Sequence, residues 1–278
     1  MALPFLAALV LIPTSRATIL DLSTHESSAS AVAAMGGAYT VYQTDFATLF
    51  GTPSTGTGVI DPFLTIQRKK YERGYNTDAT PTPLDAKRSG APGDEGYTRS
   101  LAFSELPFVW VDGVRYVEFL LDINQDKNSS PSPLSLNQIQ VFLSQTPMPG
   151  AGGFTLLEAT ATPARAAVIS FADATEVFRM SDGDAQDEIV LNYALESGSG
   201  SGDMRLLLDD DIFAAGGKYV TLFSQFGKPP GDYESNAGFE EWSVRETIPP
   251  VPEPAGIFLF GTALLGIGWK LRRGITKS

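Results

Sequence analysis

The chain contains no cysteine and a single histidine in 278 residues. Without thiols it can hold no disulfide, no thiolate metal centre and no cysteine nucleophile. A lone His25 cannot supply the several imidazole ligands of a zinc hydrolase. It would also have to serve any Ser-His-Asp triad, and no nucleophile-elbow sequence accompanies it. Basic residues are scarce as well. Five of the 20, Arg16, Lys270, Arg272, Arg273 and Lys277, lie near the two ends. That leaves 15 between Thr18 and Pro252, against 31 of the 32 acidic residues, so this span carries a net charge of −16. Such a body lacks the basic footprint that nucleic acid requires. Its acidity suits divalent cations, or serves solubility alone. Two carboxylates suffice chemically for a glycosidase, but no motif singles out a pair. The expectation is a protein that is not an enzyme.

Long apolar runs occur only at the ends. Leu3 to Ile12 is followed by Pro13 and then Ser15-Arg16-Ala17, a small-x-small site. This is the apolar core and cleavage site of a secretory signal peptide, residues 1–17, although no Lys or Arg precedes the run. At the other end Pro254 to Trp269 is uncharged over sixteen residues. As a helix it would span about 24 Å, short of the roughly 30 Å of a bilayer core. Snorkelling of Lys270 lengthens it, and glycines at 261, 266 and 268 are tolerated in lipid. Ala255–Trp269 is therefore expected to cross the membrane, with the basic tail inside and the body outside.

Val251-Pro252-Glu253-Pro254, the glycine-containing apolar stretch and Arg272-Arg273 resemble the PEP-CTERM sorting signal. The two prolines keep the peptide extended and accessible just outside the membrane. The resemblance implies export in a Gram-negative bacterium, a membrane-tethered precursor and processing by exosortase. It also implies a setting of exopolysaccharide and biofilm production. DGDAQDEIVLNY (182–193), GSGSGDM (198–204), YVTLFSQFG (219–227) and AGFEEWSV (237–244) are similar to the extracellular domains of many PEP-CTERM proteins.

Between the ends the pattern is period two. VRYVEFLLDI (114–123), QIQVFLS (138–144), EIVLNYAL (188–195), KYVTLFSQF (218–226) and EEWSV (240–244) each place apolar residues on one face. Turn clusters such as TPMPGAGG, SGSGSGD and KPPGD separate them. The pattern predicts a mainly β body, 18–247, built as an antiparallel β-sandwich of jelly-roll type, then a Pro-rich linker at 248–254 and a transmembrane helix with basic tail at 255–278. Residues 18–56 are expected to hold strands at either end. The polar, Gly- and Pro-rich segment 68–100 reads as a long exposed loop.

Asp122, Asn124, Asp126 and Asn128 alternate as in the first half of a calcium loop, so calcium is the candidate cofactor. Lys127 and Pro133 stand where a full EF-hand needs Gly and Glu, and an Asx-rich turn accounts for the same residues. Asp182, Asp184, Asp187 and Glu188 form a second acidic cluster and Asp209 to Asp211 a third, both read as solvated turns. Gly198 to Gly202 reads as a hairpin connection, since no Walker lysine accompanies it. Trp110, flanked by valines, and Trp242 read as core residues rather than sugar platforms. The functional expectation is a surface protein with a structural or adhesive role in the exopolysaccharide matrix. The alternative is a calcium-assisted, lectin-like carbohydrate-binding module.

Overall fold

Alternating apolar and polar residues let a strand bury one face. The computed structural model describes residues 18–45, 49, 60–88, 97–125, 133–157, 166–181, 187–196, 202–227, 233–236 and 238–245. The chain divides into two units, Met1–Glu246 and Thr247–Ser278. All described residues lie in the first. The expected leader, Val251 to Pro254, the expected membrane segment and Arg272-Arg273 lie outside them. Among the described residues no helix is long and apolar enough to cross a membrane.

The strands in chain order are β1 (Ile19–Asp21), β2 (Ser28–Val32), β3 (Ala38–Gln43), β4 (Ile60–Ile66), β5 (Lys69–Lys70), β6 (Glu72–Tyr75), β7 (Ala86–Lys87), β8 (Leu101–Ala102), β9 (Phe108–Val111) and β10 (Val114–Asn124). They continue as β11 (Leu134–Ser144), β12 (Thr155–Leu157), β13 (Val168–Ser170), β14 (Ala174–Arg179), β15 (Glu188–Leu191), β16 (Met204–Asp209), β17 (Tyr219–Phe226), β18 (Ser235–Asn236) and β19 (Phe239–Arg245). One sheet runs β1-β15-β11-β17-β6, with β14 also on β11 and β8 also on β17. The other runs β2-β3-β16-β10-β19-β4-β7, with β9 also on β10. β1 and β15 pair in parallel. The central pairs β10–β16, β10–β19 and β11–β17 are antiparallel. The mainly β, antiparallel expectation is met, and the five alternating stretches all contain strands.

The inner faces of the two sheets fill one core. Phe119, Leu121 and Ile123 of β10 and Leu206 of β16 belong to the same cluster as Val141 of β11 and Leu222 of β17. Tyr39 of β3 meets Phe178 of β14 edge to face, ring centres 5.4 Å apart. Trp242 of β19 is fully buried, and its indole N–H donates to Ser224 Oγ of β17 at 2.9 Å, tying one sheet to the other. Trp242 is thus a core residue, as expected.

One expectation fails because a second layer covers the outside of the first sheet. Tyr75, Phe142, Met148, Ile169, Phe171 and Phe223 form a separate buried cluster. β11 therefore buries both of its faces. Its outward glutamines take the place of a pairing strand for the covering segment. Gln140 accepts from Ile169 N at 2.8 Å and donates to Ile169 O at 3.1 Å. Gln138 accepts from Ser181 N at 3.1 Å and donates to Ser181 O at 3.0 Å. Bonded amides can be buried where free ones cannot.

The segment expected to be an exposed loop also contributes to this layer. β6 is fully buried at the edge of the first sheet. Asn76 extends it by side chain, accepting from Leu222 N at 2.7 Å and donating to Val220 O at 3.0 Å. Polarity marked this segment as a loop, but its polar groups are spent on β17.

Candidate functional site

With Val117, Phe119, Leu121 and Ile123 facing the core, alternation sends Glu118, Leu120 and Asp122 to the opposite face of β10. These are not solvated. Glu118 and Asp122 are buried, and so are Asp203 at the entry to β16, Glu240 and Glu241 on β19 and Glu72 on β6. Six carboxyls are therefore withdrawn from water around one end of β10 and its neighbours.

They resolve into three arrangements. Glu118 is paired. Arg205 Nε reaches its Oε1, and Arg245 Nε lies 2.9 Å from its Oε2. Both arginines come from neighbouring strands of the same face, since Leu120 lies opposite Arg205 on β16 and opposite Ser243 on β19. Arg205 also stacks on Tyr42, 5.6 Å from the ring centre.

Glu72 and Glu240 face each other between the sheets. Glu72 Oε2 accepts from Arg68 N at 2.6 Å, and Gln125 Nε2 donates to Glu240 Oε1. The remaining oxygens, Glu72 Oε1 and Glu240 Oε2, are buried without a donor. Burial pushes the Glu72 carboxyl up to about 7. Burial first, and then the charge of Glu72, holds Glu240 well above the ordinary carboxylate range.

Asp122 lies between two further acids. Glu241 is directly opposite on β19, and Asp203 stands on the β16 side, its N–H donating to Leu121 O at 2.9 Å. Like charges opposite one another weaken a sheet. Asp203 is raised far above the ordinary range by burial, then by the field of Asp122. Burial pushes Glu241 up to about 7 although Thr65 Oγ1 donates to it at 3.1 Å, and Asp122 adds to the rise.

Of the four residues expected to ligate calcium, Asp122 is thus inside a strand rather than in a loop. Asn124 Oδ1 accepts from Tyr193 OH at 2.9 Å. Asp126 and Asn128 lie outside the described residues. So do Asp182, Asp184 and Gly198 to Ser201. Asp187 is buried and accepts from Thr18 N at 2.9 Å, which departs from the solvated turn expected of its cluster. Among the described residues one group of three acids brings its ligand atoms within 4.8 Å of one another, Asp209, Asp210 and Asp211. The fold uses it otherwise. Asp209 caps a 3₁₀ turn by accepting from Asp211 N at 3.0 Å, and Arg115 pairs with Asp210. His25 lies 3.6 Å from Glu196.

Trp110 departs from expectation. It is 70% exposed on β9, with Phe108 43% exposed two residues earlier on the same strand face. Its valine neighbours in sequence misled, because β9 alternates between exposed and half-buried residues and fully buries none of them.

The sequence reading missed Glu72, Glu118, Asp203, Glu240 and Glu241. Glu118 left a trace, a charged residue inside the apolar run of β10. The others are brought together by strand pairing that no local spacing reveals.

Residues 250–273 match the family model described as the PEP-CTERM protein-sorting motif. No curated protein and no solved structure matches the chain. The match covers the Pro-Glu-Pro at 252–254, the apolar stretch and Arg272-Arg273, and it implies export and a membrane-anchored precursor. Residues 250–273 are thus a PEP-CTERM protein-sorting motif, the signal of an exosortase substrate.

Proposed function

We propose that the acidic β-sandwich body has a structural or adhesive role, without catalysis, in an exopolysaccharide matrix outside the cell. The observation that carries this reading is the PEP-CTERM motif at 250–273 behind a body with net charge −16. A sorting signal of this kind addresses the whole body to the envelope. The acids of the body favour the same reading. The six around β10 are buried among strands, whereas a glycosidase presents two carboxyls across an open cleft. The test is fractionation of cells and matrix with the chain deleted and restored. The reading expects the processed body in the matrix fraction and a loss of matrix cohesion on deletion. Unchanged cohesion, or turnover of a glycan substrate by the pure protein, would refute it.

One observation favours a second reading, the lectin-like module. Trp110 and Phe108 present exposed aromatic surface on β9, and Arg115 lies over Phe108, 5.0 Å from its ring centre. Aromatic faces stack on sugar rings. A glycan array with the wild-type protein and Trp110→Ala separates the two. Saturable binding lost in the variant supports the module, and no saturable binding leaves the structural role.

A further inference from the structure

The fold brings together two aspartates that are remote in sequence and holds each by backbone groups. Asp122 lies near the end of β10, and Asp203 immediately precedes β16. Ile123 N donates to Asp203 Oδ2 at 2.7 Å, and Gly202 N lies 3.4 Å from Asp122 Oδ1. Asp203 N in turn binds Leu121 O. The two carboxyls are therefore positioned by the pairing of β10 with β16 itself, not by flexible side-chain contacts.

Asp203 differs from Glu118, whose charge is met by two arginines. Asp203 is 3% exposed, and its Oδ1 is buried with no donor. The groups that raise its proton affinity besides burial are acids, Asp122 and Glu196. Glu241 adds a third carboxyl beside Asp122. Two arginines on the same face, Arg205 and Arg245, reach Glu118.

We infer that Asp122 and Asp203 bind a divalent cation of the calcium class, joining β10 to the start of β16. The donors of this pair are oxygens, which suits a hard cation and not zinc. One divalent ion neutralises both aspartates at once, whereas protonation needs a separate proton on each carboxyl. Calcium accepts irregular oxygen sets more readily than magnesium, which demands near-octahedral ligands. The affinity expected of such a site is that of extracellular modules, about 10⁻⁴ to 10⁻³ M. The site shares Asp122 with the calcium loop expected from the sequence. Its second ligand is Asp203 across the sheet, and it serves an adhesive body and a lectin-like one equally.

The test is a thermal melt of the full-length chain in mild detergent, with calcium, with magnesium and with chelator, alongside equilibrium dialysis against ⁴⁵Ca. A ligand that binds only the folded state must raise its midpoint. The wild type is expected to melt several degrees higher in calcium than in chelator and to retain one ion per chain. Asp203→Asn keeps the acceptor for Ile123 N and removes the charge. It should lose the calcium increment and the ion, while melting at or above the wild type in chelator. Asp122→Asn should do the same and serves as the second variant if Asp203→Asn does not fold. Coincident wild-type midpoints in calcium and chelator would overturn the inference and leave the pair as a proton site. Loss of the increment in Asp126→Asn but not in Asp203→Asn would overturn it in favour of the loop.

Discussion

The Glu72–Glu240 contact makes the stability of the fold fall as pH rises towards neutrality. Glu72 belongs to the first sheet and Glu240 to the second, and both are fully buried. Burial pushes Glu72 from an ordinary value near 4.5 up to about 7. The folded chain therefore keeps a proton that the unfolded chain releases near pH 4.5. Below that pH both states hold it and stability does not change on this account. Between about 4.5 and 7 only the folded state holds it, so stability falls as pH rises, and it levels off above 7. Two and a half pH units at about 1.4 kcal/mol each give roughly 3.5 kcal/mol. For a body of this size that is about 7–14 °C in midpoint. Glu72→Gln mimics the protonated acid. It keeps an acceptor for Arg68 N and offers a permanent donor towards Glu240. Melts in chelator at pH 5 and pH 8, followed by tryptophan fluorescence, check the reasoning. The variant should match the wild type within about 1 kcal/mol at pH 5 and exceed it by several degrees at pH 8. A variant no more stable than the wild type at pH 8 would show that no proton is shared between the sheets.

Other perturbations act through different physics. Glu118→Ala strands two arginines beside each other. Breaking a buried pair from one side costs about 3–5 kcal/mol, and the part-exposure of Arg205 and Arg245 reduces this to roughly 2–3 kcal/mol, readable in a urea titration. A loss below about 0.5 kcal/mol would mean that solvent takes over the role of Glu118. A Cβ on Gly238 would collide with the backbone carbonyl of Asn124, so Gly238→Ala must push β19 off the end of β10. A destabilisation of about 3 kcal/mol or more is expected from the same titration. Replacing Pro252-Glu253-Pro254 by alanines should leave the tail uncleaved, seen as an intact Ile257–Ser278 peptide by mass spectrometry of the envelope fraction. Normal trimming of that variant would remove the motif from the processing step.

The strands were legible wherever one face is apolar and the other polar, as in β10 and β19, because alternation is a local property. Legibility failed where burial is conferred by something remote. β6 reads as a loop because Glu72, Arg73 and Gly74 carry no apolar stripe. It is buried all the same, since Asn76 bonds β17 and the Phe171 layer closes over Tyr75. Trp110 fails in the reverse direction, for its valine neighbours promise a full burial that no residue of β9 has. The acid pairs show the limit most clearly. In sequence Asp122 looks like the first ligand of a loop, and its nearest oxygens by spacing are Asn124 and Asp126. In the fold Asn124 is taken by Tyr193, and the carboxyl that shares the buried ground with Asp122 is Asp203, delivered by antiparallel register. A spacing motif encodes contacts along one strand, whereas a sheet makes its contacts across strands. In a β protein a cation site is therefore sought among acids at matched register, and the Asp203→Asn and Asp126→Asn comparison asks which of the two geometries this chain uses.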